Sequence, residues 1–337
     1  MSPPLFVFFG AESEYVLNPI FVEMQNRGYD CVELHATPDV SVTAGLKDVL
    51  ASQSPKVLVT SAHFGWDERY MFHQMGVPDC PALVELIALI DPVYLVYYPH
   101  DLSQPLLTGE VSNLPLVDLY LAPSALEHMF KGLTGVQTVG WIKAPHDLLE
   151  PQERWGRRLW LTMSLEYILV EHGTTKTMGL IHDWIQKWLW IKFPPYPQFE
   201  EMENLLRARG INLVDRNTYP TVAARHFDFV VTNGESSVVR ESAMMGVETF
   251  IVTEIGLFGD KTRRNIWQFA DLENVHVVAN FEAIPDIVEK QPPRMQPFDM
   301  DSTIDAIVSG ARRKTSAKRN RVVQPIATSM QGFRCSV

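Results

Sequence analysis

The chain has 337 residues, 46% of them hydrophobic and 20% charged, which indicates a globular protein with a sizeable core in one large or two medium domains. A formal net charge of −11 argues against a surface built broadly for nucleic acid or anionic membrane. Three well-separated cysteines, Cys31, Cys80 and Cys335, form no Cys-x-x-Cys pair, so they read as reduced, cytoplasmic thiols with no disulfide framework and no zinc site.

The N-terminus lacks a basic leader, and Leu5–Phe9 reads instead as a buried strand ending at Gly10. Helical spacing of Val16, Ile20, Phe21 and Met24 predicts a helix within 13–27 that stops at Gly28. Further strands are expected over 29–34, 56–61, 93–98, 116–122 and 137–139, with helices over 42–52 and 81–90 between them. Strands alternating with helices predict a parallel, doubly wound sheet. Ligands of such sheets bind beyond the carboxyl ends of the strands, so the polar residues there are weighed as candidates. They are Glu12 after the first strand, His63 and Asp67 after the third, and His100-Asp101 after the fourth. A histidine beside a carboxylate accepts a proton from a hydroxyl near neutral pH, which ranks His100-Asp101 first as the base. The alternatives are Asp67, His63 and Glu12, and any of the five is equally readable as a surface loop residue. Gly10-Ala11-Glu12 is not a G-x-G-x-x-G fingerprint, so no classical dinucleotide site is expected there.

A charged segment containing Pro145 and Pro151 leads into a second set of elements, and the boundary is placed there. The expected division is 1–150, 151–310, and a basic C-terminal tail or returning helix over 311–337. Strands are expected over 159–163, 190–193, 211–214, 227–232, 248–252 and 275–278. Helices are expected over 174–188, 198–209, 219–226, 281–289 and 298–309. The segment between Phe227 and Val252 carries the most information. A β-branched strand runs into Asn233-Gly234, then Ser236-Ser237 opens a helix ending at Gly246. A helix start of this kind offers free backbone N–H groups, hydroxyls and a positive dipole end, the requirements for a phosphate. Glu241 lies one turn further, where a carboxylate reaches a ribose diol. The plainer reading is that the serines only cap a structural helix, and the spacing leaves both open.

This segment resembles the nucleotide-binding segment of GT-B-type sugar-nucleotide enzymes. It is similar to the Thr-Asp-Tyr-Ser-Ser segment of CDP-glycerol glycerophosphotransferases and to the Ser-Gly-x-x-x-Glu segment of UDP-N-acetylglucosamine 2-epimerases. The resemblance implies an α/β GT-B architecture, two Rossmann-like doubly wound domains facing across a cleft. It also implies that Gly234, Ser236 and Ser237 hold a diphosphate and Glu241 the ribose. Ser164, at the first loop of the second half, faces the donor phosphates in such enzymes. Many relatives carry Lys-x-His-Pro where this chain has Lys192-Phe193-Pro194, so Lys192 or Tyr196 is expected to take the phosphate role in place of the missing histidine. The Trp-His-Gly segment of the glycerophosphotransferases corresponds to Tyr98-Pro99-His100-Asp101, without the glycine. Arg263 or Arg264, in a glycine-rich basic loop, is the expected neutralising cation, the plainer reading being a surface loop. The implied function is metal-independent transfer of a sugar from a nucleotide sugar to an acceptor hydroxyl, with the donor as substrate and no separate cofactor. The alternatives are an epimerase or hydrolase of the same fold, a DNA-modifying glycosyltransferase, and a non-catalytic nucleotide-binding protein. The six basic residues within 312–321 make a nucleic-acid acceptor worth naming, although a solvated terminal helix or tail is the plainer and preferred reading.

Overall fold

The computed structural model describes residues 2–10, 16–34, 42–61, 83–99, 102, 117–123, 135–148, 150, 152–162, 165–185, 187, 190–194, 199–232, 237–253, 269, 272–286 and 289–316. Two parallel sheets organise them. The first holds β1 (Leu5–Phe9), β2 (Cys31–Leu34), β3 (Lys56–Thr60), β4 (Tyr94–Tyr97), β5 (Leu119–Ala122) and β6 (Val136–Thr138), in the order β2-β1-β3-β4-β5-β6. The second holds β7 (Gly156–Leu161), β8 (Trp190–Lys192), β9 (Phe227–Thr232), β10 (Glu248–Val252) and β11 (Val275–Val278), in the order β11-β10-β9-β7-β8. Counted within its own sheet, each begins with the same second-first-third-fourth-fifth order, the doubly wound pattern. The expected α/β fold with two such units is therefore present.

The alternation of the strands explains the layers. Phe6 and Phe8 of β1 point to one core, while Leu5, Val7 and Phe9 point to another on the opposite face. The second sheet divides in the same way. Leu159, Leu161 and Val230 join the core containing Phe6, and Trp160, Phe229 and Val231 join a separate one. Runs apolar on both faces belong to strands covered by helices on both sides. On the first sheet the covering helices include α1 (Asn18–Asn26), α2 (Val42–Ala51) and α3 (Leu83–Ile90). The second has α4 (Leu165–Leu180), α5 (His182–Ile185), α6 (Glu200–Ala208), α7 (Pro220–Ala224) and α8 (Ser237–Met244).

Several elements differ from expectation. The helix expected over 174–188 begins earlier, at Leu165, and is broken at Gly173, whose φ of 72° lies outside the helical range. The strand expected over 211–214 is a single bridge between Ile191 and Leu213. The helix expected over 281–289 is one 3-10 turn, Phe281–Ala283, capped by the Asn280 side chain. Ile284 is extended, as suits a residue preceding Pro285, and the helix stops there. Gly246 ends α8 as expected, with φ at 77°.

The last helix, α9 (Met300–Ser316), is longer than expected and continues past residue 310. It does not pack on the second sheet from which it comes. The segment before it runs back along the end of α8, with Gln291 N–H donating to the Gly246 carbonyl and Met295 N–H to the Met244 carbonyl. It then bridges Trp141 at Pro297 and places Asp299 N–H on the Val139 carbonyl. From there α9 lies on the first sheet, where Ile304, Ile307, Val308 and Ala311 join the core that contains Tyr94 and Leu119. Arg27, just past the end of α1, pairs with Asp301, and Lys314 lies 3.3 Å from Asp118. The chain thus crosses between the sheets twice, and the two crossings are bonded to each other. No described helix is long and apolar enough to cross a membrane.

Candidate functional site

In a doubly wound sheet the crevice opens where the winding reverses, beyond the carboxyl ends of the first and third strands. In the second sheet those are β7 and β9, which end at Leu161 and Thr232. Thr162 follows β7 directly and is buried. Its N–H and its hydroxyl both reach the Lys192 carbonyl, at 3.2 and 3.3 Å, which ties the ends of β7 and β8 together.

Helix α8 leaves this end of β9 and begins at Ser237, which is buried. Its sequence is polar, yet nearly every residue is inside. Arg240, Glu241 and Ser242 are 2%, 0% and 0% exposed. Apolar packing explains Val239 and Ala243, which lie in the main core. Three consecutive buried polar residues need another reason, because burial of a charge is costly unless it is paired. For Glu241 the structure supplies a cation. Lys143 Nζ lies 3.9 Å from Glu241 Oε1, with the lysine side chain 14% exposed and the carboxylate fully buried.

Lys143 comes from the first crossing between the sheets, and neighbouring contacts fix its place. Its carbonyl accepts from the Thr221 hydroxyl of α7. Four residues on, Arg225 holds the Asp147 carboxylate at 2.7 Å, its carbonyl at 2.6 Å and the Glu150 carbonyl at 3.0 Å. The Arg225 bonds hold the Asp147 carboxyl below the ordinary aspartate range. On the other side Lys143 lies over the Trp141 ring, 5.4 Å from its centroid. Trp141 in turn stacks on Tyr98, at 5.8 Å between centroids. The Tyr98 hydroxyl accepts from Ile142 N–H at 2.9 Å and donates to the Gly140 carbonyl at 3.1 Å. Burial holds its pKa well above the ordinary tyrosine value, and the nearby Glu241 charge adds to this, so Tyr98 is a neutral phenol. It stands at the carboxyl end of β4, immediately before Pro99 and His100.

Lys192, at the end of β8, is 4% exposed. Its ammonium donates to the carbonyls of Phe193 at 3.1 Å and Arg216 at 3.0 Å. Burial lowers its pKa to about 8, with Glu241 opposing the shift and Lys143 reinforcing it. Glu241, Lys143 and Lys192 are therefore within electrostatic reach of one another.

Of the residues proposed from sequence, Lys192, Ser237 and Glu241 are described, and all three are buried around the carboxyl ends of β8 and β9. Lys192 has its ammonium on two backbone carbonyls rather than turned outward. Glu12, His63, Asp67, His100, Asp101, Ser164, Tyr196, Gly234, Ser236, Arg263 and Arg264 lie outside the described residues. Sequence reasoning did not find Lys143, Trp141, Tyr98 or Arg225. The one signal available was the Trp141-Ile142-Lys143 run beside the expected domain boundary, and nothing in its spacing pairs Lys143 with Glu241. Among the described residues no group of three or more His, Cys, Asp or Glu is placed to hold a metal ion.

No protein-family model matches the chain, and no curated protein matches it. Solved structures similar to it include the glycosyltransferase SnogD from Streptomyces nogalater, at 10% identity over 94% of this chain and 95% of that one, with a TM-score of 0.47. A glycosyltransferase of Streptomyces sp. SF2575 complexed with thymidine diphosphate is similar at 12% identity over 94% and 95%, with a TM-score of 0.43. S. aureus MnaA, in a co-structure with UDP, is similar at 11% identity over 94% and 89%, with a TM-score of 0.43.

Proposed function

We propose that this chain is a nucleotide-sugar-dependent glycosyltransferase whose donor sits at the carboxyl ends of β7, β8 and β9. The observation that carries the reading is Glu241. A fully buried carboxylate one turn into the helix that follows the third strand of a doubly wound sheet stands where a ribose diol is held in the enzymes this segment resembles. A helix start offers backbone N–H groups and a positive dipole end, which suits the diphosphate. The residues after β1, β3 and β4 of the first sheet supply the acceptor side, with His100 following Tyr98 and Pro99 as the first choice of base.

In the reaction the acceptor oxygen bonds to the anomeric carbon and the bond from that carbon to the phosphate oxygen breaks. The acceptor proton passes to the base, and the nucleoside diphosphate leaves with the electron pair. Donors fixed at the helix start stabilise the charge that develops on the leaving phosphate.

The test is thermal unfolding and calorimetric titration of the full chain with UDP, CDP, GDP, dTDP and their common sugar conjugates. Ligand at 100 times its dissociation constant raises stability by about 2.7 kcal/mol. One nucleotide class is expected to bind the wild type, and Glu241→Gln is expected to weaken it by about tenfold or more. Silence across the panel rejects the reading. Donor turnover without an acceptor assigns an epimerase or hydrolase instead.

A further inference from the structure

Beyond the carboxyl end of β8 stands a second pair of charges, which the donor reading does not use. The segment leading to it runs along β8, with Ile191 N–H donating to the Asn212 carbonyl and Val214 N–H to the Ile191 carbonyl. Asp215 and Arg216 therefore emerge at the level of Lys192, whose ammonium donates to the Arg216 carbonyl at 3.0 Å. A turn fixes them there. Asn217 N–H donates to the Asp215 carboxylate at 2.8 Å, and Thr218 N–H to the Asp215 carbonyl at 3.0 Å. From this turn Arg216 Nη1 lies 3.6 Å from Glu203 Oε2 of α6, too far for a hydrogen bond. Glu203 is 8% exposed, and its Oε1 has no hydrogen-bond partner among the described residues. Arg216 Nη1 is buried and has none either. Buried charged groups normally fill their hydrogen bonds, so an acceptor and a donor left open side by side call for a third group. The pair also meets the surface, since the arginine and glutamate side chains keep 22% and 11% exposure.

Resting on the nucleotide reading above, we propose that Glu203 and Arg216 form the nucleobase subsite of the donor and select guanine. The place fits. β8 and β9 flank β7, and neighbouring strands lie about 4.8 Å apart, so the ends of β8 and β9 are separated by about 10 Å. A nucleoside covers that span from its ribose hydroxyls, at Glu241 after β9, to the outer edge of its base. Lys192, at the end of β8, is within electrostatic reach of both Glu241 and Glu203. The chemistry then chooses the base. A carboxylate offers only acceptors and a guanidinium only donors. Guanine presents N1–H and its N2 amino group side by side, with O6 next to them. The carboxylate accepts from the two donors, and the guanidinium donates to O6. Uracil and thymine set one N–H between two carbonyl oxygens, and cytosine and adenine set a ring-nitrogen acceptor beside the amino group. Each of these turns an acceptor toward a carboxylate oxygen, which costs affinity.

The experiment titrates wild type, Glu203→Gln and Arg216→Met, as full chains, with GDP, UDP, CDP, dTDP and IDP, the last being GDP without the N2 amino group. Wild type is expected to bind GDP about tenfold or more tighter than UDP, CDP or dTDP, and tighter than IDP. Glu203→Gln is expected to bring GDP and IDP to within about twofold of each other, because the amide no longer accepts from both donors. Arg216→Met is expected to weaken GDP by about tenfold and to leave UDP within about twofold of wild type. Retained UDP binding separates a lost base contact from lost folding. Wild-type binding of UDP, CDP or dTDP as tight as that of GDP overturns this proposal and leaves the nucleotide reading standing. A loss shared equally by all five diphosphates in either variant also overturns it, since the pair then serves the fold and not the base. Binding of none of the probes by wild type overturns both.

Discussion

Lys192 is an ordinary surface residue type in an unusual position. Its pKa falls from the ordinary lysine value of 10.5 to about 8 because burial disfavours the charged form more than Glu241 restores it. The sign of the consequence follows from proton binding. Between about pH 8 and pH 10.5 the unfolded chain holds this proton and the folded chain does not, so stability from this group rises with pH across that window. Below pH 8 the charged form is kept in both states at a cost to the fold. The prediction concerns Lys192→Met measured against wild type. The variant is destabilised at every pH by the loss of bonds to the Phe193 and Arg216 carbonyls, and the gap widens as pH rises from 8 to 10.5. Chemical denaturation at several pH values checks it, and a gap that narrows with rising pH contradicts it. At this scale the site reads as charges held in fixed places. Lys192 braces the strand ends, while Lys143 and Glu241 meet across the crossing.

Helix α9 shows how one small residue decides where an element docks. A Cβ built on Gly310 would lie 2.1 Å from the Tyr94 hydroxyl oxygen and 2.3 Å from the ring carbon that bears it. Tyr94 is 4% exposed and belongs to the first sheet, so its ring has little room to withdraw. In an isolated helix Gly→Ala stabilises by about 1 kcal/mol. Here overpacking opposes it, at a cost of about 1–3 kcal/mol. Gly310→Ala is therefore expected to lower stability in urea unfolding, and Gly310→Ala combined with Tyr94→Leu to lose less than the two singles summed. A Gly310→Ala variant as stable as wild type means that α9 does not lie on β4 as described. The same contacts bear on the basic run. Arg312, Arg313 and Lys314 belong to the last turns of α9, where basic residues complement the helix dipole, and Lys314 is paired with Asp118. Part of the run thus serves the fold.

The two sheets are joined by two crossings, and Arg225 clasps the first. Its guanidinium gathers Asp147 and the Glu150 carbonyl from the crossing while its backbone carbonyl accepts from Lys290, at 2.8 Å, on the returning segment. Arg225→Met is expected to free this region. The Asp147 carboxyl should return toward the ordinary aspartate range, as read by NMR titration of its side-chain carbon. Because the folded carboxyl is held low, the stability it lends is present above about pH 4 and is lost as pH falls through its folded value. The stability gap between wild type and Arg225→Met should therefore shrink in acid. Limited proteolysis should also cut the variant within 145–155 faster than wild type. Equal cleavage rates and an unshifted Asp147 mean that the clasp does not hold the crossing. The prediction belongs to the whole molecule, since Lys143 reaches Glu241 only while this crossing stays on α7.

The periodicity of the chain determined most of the strands, the two doubly wound sheets and the helix that carries Ser237 and Glu241. Those features rest on local rules: alternation on covered strands, caps and glycine stops, and the alternation of strand with helix. Where local rules conflicted, the sequence reading erred. Pro285 cut short a helix that the apolar spacing favoured, and the helical stretch from Leu165 up to Gly173 was missed because the expected helix began only at 174. Tertiary structure alone decided that α9 belongs to the first sheet and that Lys143 stands beside Glu241. It also decided that Lys192 turns inward to two carbonyls. Each of these is a contact between residues distant in sequence, set by which buried charge and which apolar stripe the sheets leave to be covered. No spacing along the chain encodes such a choice.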